Sequence, residues 1–522
     1  MVRYCILLLS FLLIQITGFG QNATIKWGKL EGRSGQLIEM MPFHSQDFYT
    51  LRWKGTNVFG GYYLSRFEDL EELKSKRISI AVNQNIANFE HVIIVDEHPA
   101  VILTNIRDGR ESIYLQPYGY NLEPMGEAIL LAEYEIPKGM SKYPIKVIQS
   151  KDKNYFAVLW LLVGKKKEND VYGYAIFDKK FKPIDKGEYE VPIESRYSQI
   201  TDHLLSNTGH YFFTVKEFTK NENRGYGQPD LIYKAMHIFQ ASNEDGLEKY
   251  TMNVQGRRIE AMSINTDDSS KFVITGVYGP NEFRGVQGIF FMDLDFKNQR
   301  VIREGFQEFG KDFITEDWSE KEINRIEKLE AKGKDEPALY NYQMREAQIL
   351  PDGSLIGIME QSYVVVRSFS DVRSMVTFSY TYYFNDIIVF RINEAGTFQW
   401  IEKVKKSQVS TNDGGPYSSF ASIIDGSTIR LIFNDNIDNY NEEGNYIANR
   451  AYPSRFNIKH NAVAMTEIDI ATGQQKRYTL FGRKDTKTVA VPRQFKIDLN
   501  TKEMLLFSEY NGKELYGIMK FE

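Results

Sequence analysis

The chain has 522 residues, of which 42% are hydrophobic, 25% are charged and 14% are aromatic. This aromatic content excludes a disordered chain, which has few such residues to bury, and 38 glycines are too few for collagen. A net charge of −5 gives no basic footprint for nucleic acid. The single cysteine excludes an intrachain disulfide framework and a multi-cysteine metal site. Composition alone therefore indicates a folded, aromatic-rich protein and does not reveal its biochemical function.

The first 20 residues have the pattern of a cleavable signal peptide. Arg3 provides a positive charge, an apolar run covers residues 5–14, and Gly18 and Gly20 precede a cleavage point before Gln21. The alternative is an uncleaved membrane anchor, but this run is short for a hydrocarbon core of ~30 Å. Cys5 stands at the start of this run and not at its end, so a lipoprotein is not predicted. We expect a soluble mature chain, residues 21–522, in the periplasm or outside the cell.

The mature sequence repeats one unit, in which a short apolar strand, a polar turn and a second apolar strand follow each other. The turns contain Asp-Gly, Asn-Thr-Gly and similar residues that form tight β-connections. Eight copies occur, at residues 38–53, 91–106, 147–163, 203–218, 262–278, 347–361, 421–435 and 495–510. Each copy predicts an antiparallel pair of strands, A and B.

A second hairpin follows most copies and predicts strands C and D. Its clearest examples are residues 172–191, 236–254, 288–306, 387–404 and 462–480. Four-stranded units repeated around an axis form a β-propeller, so we expect an all-β propeller of about eight blades, with seven to nine as the range. The segment 23–31 has no partner of its own, and we expect it to complete the last blade and close the ring. Two smaller β-domains are the alternative, although no Pro/Gly/Ser-rich linker separates them.

The repeats resemble the bacterial WD40-like propellers related to TolB, whose turns often read Pro-Asp-Gly. The segment Leu350-Pro351-Asp352-Gly353 matches that pattern closely. The resemblance implies an architecture and brings no catalytic residue with it.

Four long insertions interrupt the repeats, at residues 219–231, 311–340, 362–385 and 434–461. All four are B–C or D–A connectors, whereas the A–B and C–D turns are predicted to be uniformly short. In the insertion 311–340, Ser319 and Glu322 form a capping-box pattern that predicts a helix. Long connectors on one side of a repeat architecture often mark its binding face. We therefore expect a partner to meet the loop-rich side of blades four to seven.

One insertion contains a run of side-chain oxygens that could ligate calcium. Calcium prefers six to eight oxygen ligands, and the candidate ligands are Asn434, Asp435, Asn436 and Asp438. The run does not match the EF-hand pattern, which needs Gly and Glu where Asn439 and Asn445 stand. The alternative interpretation is a solvated turn rich in Asn and Asp.

Tyrosine and arginine are also dense in the insertions, and both are enriched in binding hot spots. They could anchor a protein or stack on a sugar ring, and the candidate binding residues are Arg224, Tyr226, Arg284, Arg373, Tyr383, Asp435, Asp438 and Tyr446. The alternative is that these residues serve the sheets themselves, as an alternating strand around Tyr383 would.

The sequence lacks the common catalytic patterns. It contains no HExxH motif, no GxSxG elbow, no P-loop and no dinucleotide fingerprint. We therefore expect a binding or scaffold module without a cofactor, unless the oxygen-rich run holds calcium. The alternative is a polysaccharide-active hydrolase or lyase with two rim carboxylates at a central channel, drawn from Glu282, Glu316, Asp317, Asp371 and Asp435.

Overall fold

We describe the fold from a computed structural model of the chain. It describes residues 23–521 apart from 45, 57–58, 83, 166, 223–229, 267–270, 281–284, 334, 371–375, 454–457 and 499–500. Almost all of the regular structure is β-strand. The predicted signal peptide lies outside the described residues.

Within the described residues, the strands form eight sheets of four or more strands, numbered in chain order, and one small hairpin of Ala81–Val82 with Asn85–Ile86. Sheet 1 contains Gln36–Pro42, Phe48–Gly55, Gly60–Glu68 and Glu71–Arg77, and sheet 2 contains Asn88–Val95, His98–Arg107, Arg110–Pro117 and Ile129–Glu135. Sheet 3 contains Ser141–Lys142, Lys146–Gln149, Tyr155–Val163, Asn169–Asp178 and Pro183–Glu194. Sheet 4 contains Ser198–Leu205, Tyr211–Lys220, Leu231–Ser242 and Gly246–Thr251.

The second half of the chain repeats this arrangement with longer additions. Sheet 5 contains Arg258–Asn265, Lys271–Gly279, Gly288–Asp295 and Arg300–Glu308. Sheet 6 contains Tyr342–Ile349, Leu355–Ser370, Val376–Ile392, Phe398–Val404, Gln408–Thr411 and Tyr452–Pro453. Sheet 7 contains Ala421–Asp425, Thr428–Asn436, Asn461–Asp469 and Gln475–Gly482, and sheet 8 contains Val489–Ala490, Lys496–Asp498, Glu503–Tyr510 and Lys513–Phe521 with the N-terminal Ala23–Trp27 and Glu31–Gly32.

The predicted hairpins are confirmed, because the four main strands of each sheet pair antiparallel in the order A, B, C, D. In sheet 8 the fourth strand comes from the other end of the chain. Ala23 pairs with Phe521 and Trp27 with Gly517, as the sequence predicts for this segment. The strands alternate between buried and exposed positions where one face is solvated, and the central strands are buried on both faces.

The core lies between neighbouring sheets. One apolar cluster, for example, joins sheets 4 and 5 through Phe212, Ile238, Phe272 and Phe290. Corresponding clusters join each other pair of consecutive sheets. A further cluster packs sheet 8 against sheet 1, and its members include Leu37, Met40, Phe48, Phe67, Leu505, Phe507, Tyr516 and Ile518. The first and last sheets are therefore packed together as the others are.

Helices are few and short. The α-helices are Lys311–Thr315, Glu320–Glu330 and Arg483–Thr486, and the 3-10 helices are Ser195–Tyr197, Ile437–Asn439, Ile458–His460 and Pro492–Gln494. The predicted capping box is confirmed, since Ser319 and Glu322 bond reciprocally at the start of the second helix. Its Ile326 is buried, so this helix packs on its own domain. Within the described residues, no helix has the length and apolar character needed to cross a membrane.

The prediction that all A–B and C–D turns are short is wrong in sheet 2. Residues 118–128 connect its strands C and D and form an eleven-residue loop. Tyr118 and Leu122 of this loop are buried in the apolar cluster between sheets 1 and 2. The loop is therefore part of the core, and its mixed polar composition concealed this in the sequence.

Candidate functional site

The four predicted insertions lie where B–C and D–A connectors leave sheets 4 to 7. Strand order places the B–C connectors of sheets 4, 6 and 7 at residues 221–230, 371–375 and 437–460, and the D–A connector between sheets 5 and 6 at residues 309–341. In a four-stranded antiparallel unit these connectors share one end of the sheet. We call this end of sheets 4 to 7 the loop-rich end.

The most prominent feature of the loop-rich end is a long hairpin from sheet 6, formed by Leu355–Ser370 and Val376–Ile392. Strand A of this sheet pairs with the hairpin only as far as Gln361. Residues 362–370 and 376–384 therefore extend beyond strand A, and we call these two strand segments the projecting hairpin. Its inner part is held on one side by Gln408–Thr411, which pairs with residues 381–384.

One face of the projecting hairpin exposes a row of large apolar side chains. Val364 pairs with Tyr382 and Val366 with Tyr380, so these side chains share a face. Val364, Val366 and Tyr380 are 48%, 52% and 41% exposed, and Phe378 is 53% exposed. On the opposite face Tyr363 stacks on Tyr383 with ring centroids 4.7 Å apart. The hairpin is thus ordered by one aromatic pair while its other face offers apolar surface to solvent.

Some other exposed apolar side chains also lie at the B–C and D–A ends of the sheets, while Tyr120 and Met125 lie on the C–D loop of sheet 2. Those at the B–C and D–A ends lie on connectors or at adjoining strand ends and include Phe59, Ile80, Ile86, Tyr143, Leu231, Ile232, Tyr340, Ile437 and Ile447. Contiguous exposed apolar surface on a folded protein commonly marks an interaction site.

A buried ionic network supports the insertion of sheet 7. Asp435 accepts a hydrogen bond of 2.6 Å from the Tyr440 hydroxyl and one of 3.0 Å from Asn439 Nδ2, and it pairs with Arg477. The Arg477 guanidinium also lies 4.2 Å from the centroid of the Tyr446 ring. Burial raises the pKa of Tyr440, so its hydroxyl remains a donor to the carboxylate. The network ties the base of the insertion to strand D.

A second buried network supports the projecting hairpin. Lys406 Nζ donates to Glu360 at 2.8 Å and to Gln408 Oε1 at 3.1 Å, and the Ser419 hydroxyl donates to Glu360 at 2.7 Å. Arg345 completes the set with a bond of 3.0 Å from Nε to Glu360. Burial lowers the pKa of Lys406, and its carboxylate partner opposes that shift. The sequence offered no signal for this set, because its members are distant along the chain.

The structure disperses the predicted binding residues. Arg224, Tyr226, Arg284 and Arg373 lie outside the described residues, as do the carboxylates Glu282 and Asp371. Tyr383 lies in the projecting hairpin, on the face opposite the exposed apolar row.

The remaining three predicted binding residues lie in the insertion of sheet 7. Asp435 is 1% exposed and belongs to the interior network, with Tyr446 packed over its arginine partner. Asp438 is exposed and pairs with His460 at 3.1 Å. Sequence reasoning missed the apolar row itself, because Val364, Val365 and Val366 are consecutive and do not show in the sequence which side chains face solvent.

The interpretation of residues 434–438 as a solvated turn is wrong for the first three positions. Asn434, Asp435 and Asn436 belong to a strand and are buried, and Asn434 Nδ2 donates to the backbone oxygens of Tyr417 and Ala490. Asn436 caps the following 3-10 helix by accepting from the Asp438 N–H. In the described part of the chain, no group of three or more His, Cys, Asp or Glu residues is arranged to hold a metal ion. The calcium site remains a prediction, tested below.

Glu316 and Asp317, two of the carboxylates predicted for a catalytic rim, form ion pairs. Glu316 lies 3.1 Å from both Lys403 and Lys405, and Asp317 pairs with Lys405. Burial acts to raise the pKa of Glu316, but hydrogen bonds from the two lysines lower it overall. A general acid for glycoside cleavage needs a raised pKa, so this pair favours a structural role.

Comparison with known proteins gives no family. No protein-family model matches the chain, and no curated protein matches it. Among solved structures, prolyl oligopeptidase B from Galerina marginata is 10% identical, with a TM-score of 0.36 and 92% of this chain covered. The match covers 56% of that enzyme, so the chain spans about half of its length.

Two further solved structures were compared with the chain. An ACO/RPE65 chimera is 9% identical with a TM-score of 0.32, and the match covers 88% of this chain and 94% of the chimera. A protein of unknown function from Bacteroides caccae is 11% identical with a TM-score of 0.25, covering 69% of this chain and 94% of that protein. The fold described above therefore rests on the strand pairing of this chain.

Proposed function

We propose that this chain is a non-catalytic binding module whose loop-rich end docks a protein partner through the projecting hairpin. The observation that carries the proposal is the row of exposed apolar side chains on that hairpin, Val364, Val366, Phe378 and Tyr380. Aromatic and apolar anchors with a polar surround are typical of protein interfaces. The two buried ionic networks support the proposal, because they hold the surrounding insertions in one arrangement and lower the cost of ordering them on binding.

The architecture that we propose is a β-propeller of eight blades, one for each sheet. Two observations support a closed ring: Ala23–Trp27 pairs with the last strand, and an apolar cluster packs sheet 8 against sheet 1. A shared core between every consecutive pair of sheets also favours one domain over two. We further propose an exported, cleaved protein of the bacterial envelope, on the strength of the N-terminal sequence pattern.

A glycan partner is the alternative that the sequence left open. Rings that bind sugars need an exposed aromatic side chain beside polar groups, and Tyr380 is 41% exposed but pairs with the apolar Val366. Apolar neighbours of this kind favour a protein over a glycan.

Site-specific photocrosslinking tests the proposal. A photoreactive phenylalanine analogue is placed at Phe378, in a chain expressed in its native envelope, and a control chain carries the analogue at Ile302. Ile302 is 45% exposed on an edge strand away from the loop-rich end. We expect a discrete protein adduct from position 378 that is absent from position 302. Equal adducts from both positions, or adducts from neither, would refute the docking surface.

A further inference from the structure

A β-bulge recurs in the first strand of sheets 1, 2, 4, 5 and 6, where the pairing of strands A and B skips one residue. In the three consecutive sheets 4, 5 and 6 the skipped residues are Thr201, Glu260 and Arg345. A bulge leaves its extra residue unpaired in the ladder and redirects its side chain, and bulges are common beside binding sites.

All three bulge residues line one cavity. Its volume is about 580 Å³, and strand A of each of the three sheets contributes to its wall. Beyond the bulge residues, the polar lining includes Gln199, Asp202, Ser263 and Gln343. A cavity of this size accommodates a small molecule, and its wall offers amide, hydroxyl and carboxylate groups with no aromatic ring.

Three charged side chains line the cavity, and they are the cation Arg345 and the carboxylates Asp202 and Glu260. Arg345 pairs with Glu360 behind the wall, and Glu260 pairs with Arg258 at 2.5 Å. The lining therefore suits a ligand that carries an acid group together with hydroxyl or amino groups.

Arg345 is held in a defined orientation. Its Nε bonds to Glu360 at 3.0 Å and its Nη2 to the Ser362 hydroxyl at 2.9 Å. A guanidinium fixed in one orientation suits a carboxylate.

We propose that this cavity binds a small hydrophilic carboxylate, whose acid group contacts Arg345 and whose hydroxyl or amino groups contact Gln343, Ser263 and Asp202. The site does not include the exposed apolar row, although Arg345 also bonds to Ser362 at the base of the projecting hairpin. A sugar acid and a short peptide share this chemistry, because both combine a carboxylate with other polar groups.

Isothermal titration calorimetry on the full mature chain tests the site with three probes: sodium D-galacturonate, glycylglycine and neutral D-galactose. We expect at least one of the two carboxylates to bind with a Kd of about 1 mM or tighter, and galactose to bind at least tenfold more weakly than galacturonate if the sugar acid is bound. Binding of galacturonate alone identifies a sugar acid, and binding of glycylglycine alone identifies a peptide. Binding of neither carboxylate overturns the proposal.

Substitutions in the cavity wall test whether the carboxylate binds there. We expect Arg345→Gln to weaken carboxylate binding at least tenfold, and Gln343→Ala to weaken it less. Arg110→Gln is the matched control, because Arg110 is an exposed arginine paired with Glu133 and Glu135 in sheet 2. If Arg345→Gln is destabilised, Gln343→Ala still decides the question, since Gln343 is exposed on the cavity wall. Wild-type affinity in both cavity variants would overturn the assignment.

Discussion

The pair Asp435–Arg477 offers the sharpest test of how the loop-rich end is held. The two side chains are 1% and 5% exposed, and both carry further bonds within the interior. Removing one partner of a buried ion pair leaves an uncompensated charge and typically costs about 3–5 kcal/mol. We therefore expect Asp435→Asn and Arg477→Met each to lower the free energy of unfolding by about that amount. Asn at 435 still accepts from Tyr440, so the loss reports the charge more than the hydrogen bond.

The double variant separates the ion pair from packing. With both charges removed, no buried charge is left uncompensated, and the double variant should lose about 2–3 kcal/mol less than the sum of the single variants. Urea unfolding followed by tryptophan fluorescence gives the free energies. The exposed Arg110 supplies a control, since Arg110→Met should cost less than about 1 kcal/mol. Single variants that cost no more than this control, or costs that simply add, would refute the reasoning.

Three further predictions concern pH, packing and metal. Burial lowers the pKa of His203 to about 3, so this ring stays neutral in the folded chain while the unfolded chain takes up a proton below its ordinary pKa of about 6.5. The contribution of His203 to the free energy of unfolding, fully present above about pH 6.5, therefore falls by about 1.4 kcal/mol between pH 7.5 and 5.5. In urea titrations at these two pH values, His203→Gln should lose about that much less unfolding free energy than the wild type. Equal losses would contradict this assignment. A Cβ at Gly173 would lie 1.8 Å from the Trp160 ring, so Gly173→Ala should lower the free energy of unfolding by about 1–3 kcal/mol or more. A Cβ at Gly32 has no heavy atom within 4 Å, so Gly32→Ala should change the free energy of unfolding by less than about 0.5 kcal/mol. Similar effects of the two glycine variants would contradict the packing of sheet 3. The side-chain oxygens of residues 434–438 are used in internal bonds, so calcium and EDTA should leave the melting temperature unchanged in differential scanning fluorimetry. A calcium-dependent rise of the melting temperature would show that a calcium site exists.

The strands could be predicted because their signals are local. Alternating or continuous apolar runs and tight turns such as Asp425-Gly426 depend on neighbouring residues, and every predicted hairpin is present. The capping box at Ser319 is local as well. The pairing of Ala23–Trp27 with the C-terminal strand was predictable by elimination, since both segments lacked a partner.

The site could not be predicted to the same extent, because its contacts join distant parts of the chain. The neighbours of Asp435 predict a calcium ligand or a solvated turn at this position, but its environment is set by Arg477, 42 residues later. Glu360 and Lys406 are separated by 46 residues and meet only through the strand order of sheet 6. The bulge at Arg345 is also invisible in sequence, because it is a mismatch between two paired strands.

The central claim is that the exposed apolar row of the projecting hairpin binds a protein partner. The most direct test is the Kd of the crosslinked partner, once identified, for a variant in which Val364, Val366, Phe378 and Tyr380 are each replaced by Thr, a residue that keeps strand propensity. A control variant carries Ile184→Thr and Ile302→Thr, which remove exposed apolar side chains from edge strands elsewhere. The account predicts at least a hundredfold loss of affinity for the hairpin variant and a wild-type Kd for the control. Equal affinity of the two variants, with both folded, would contradict it.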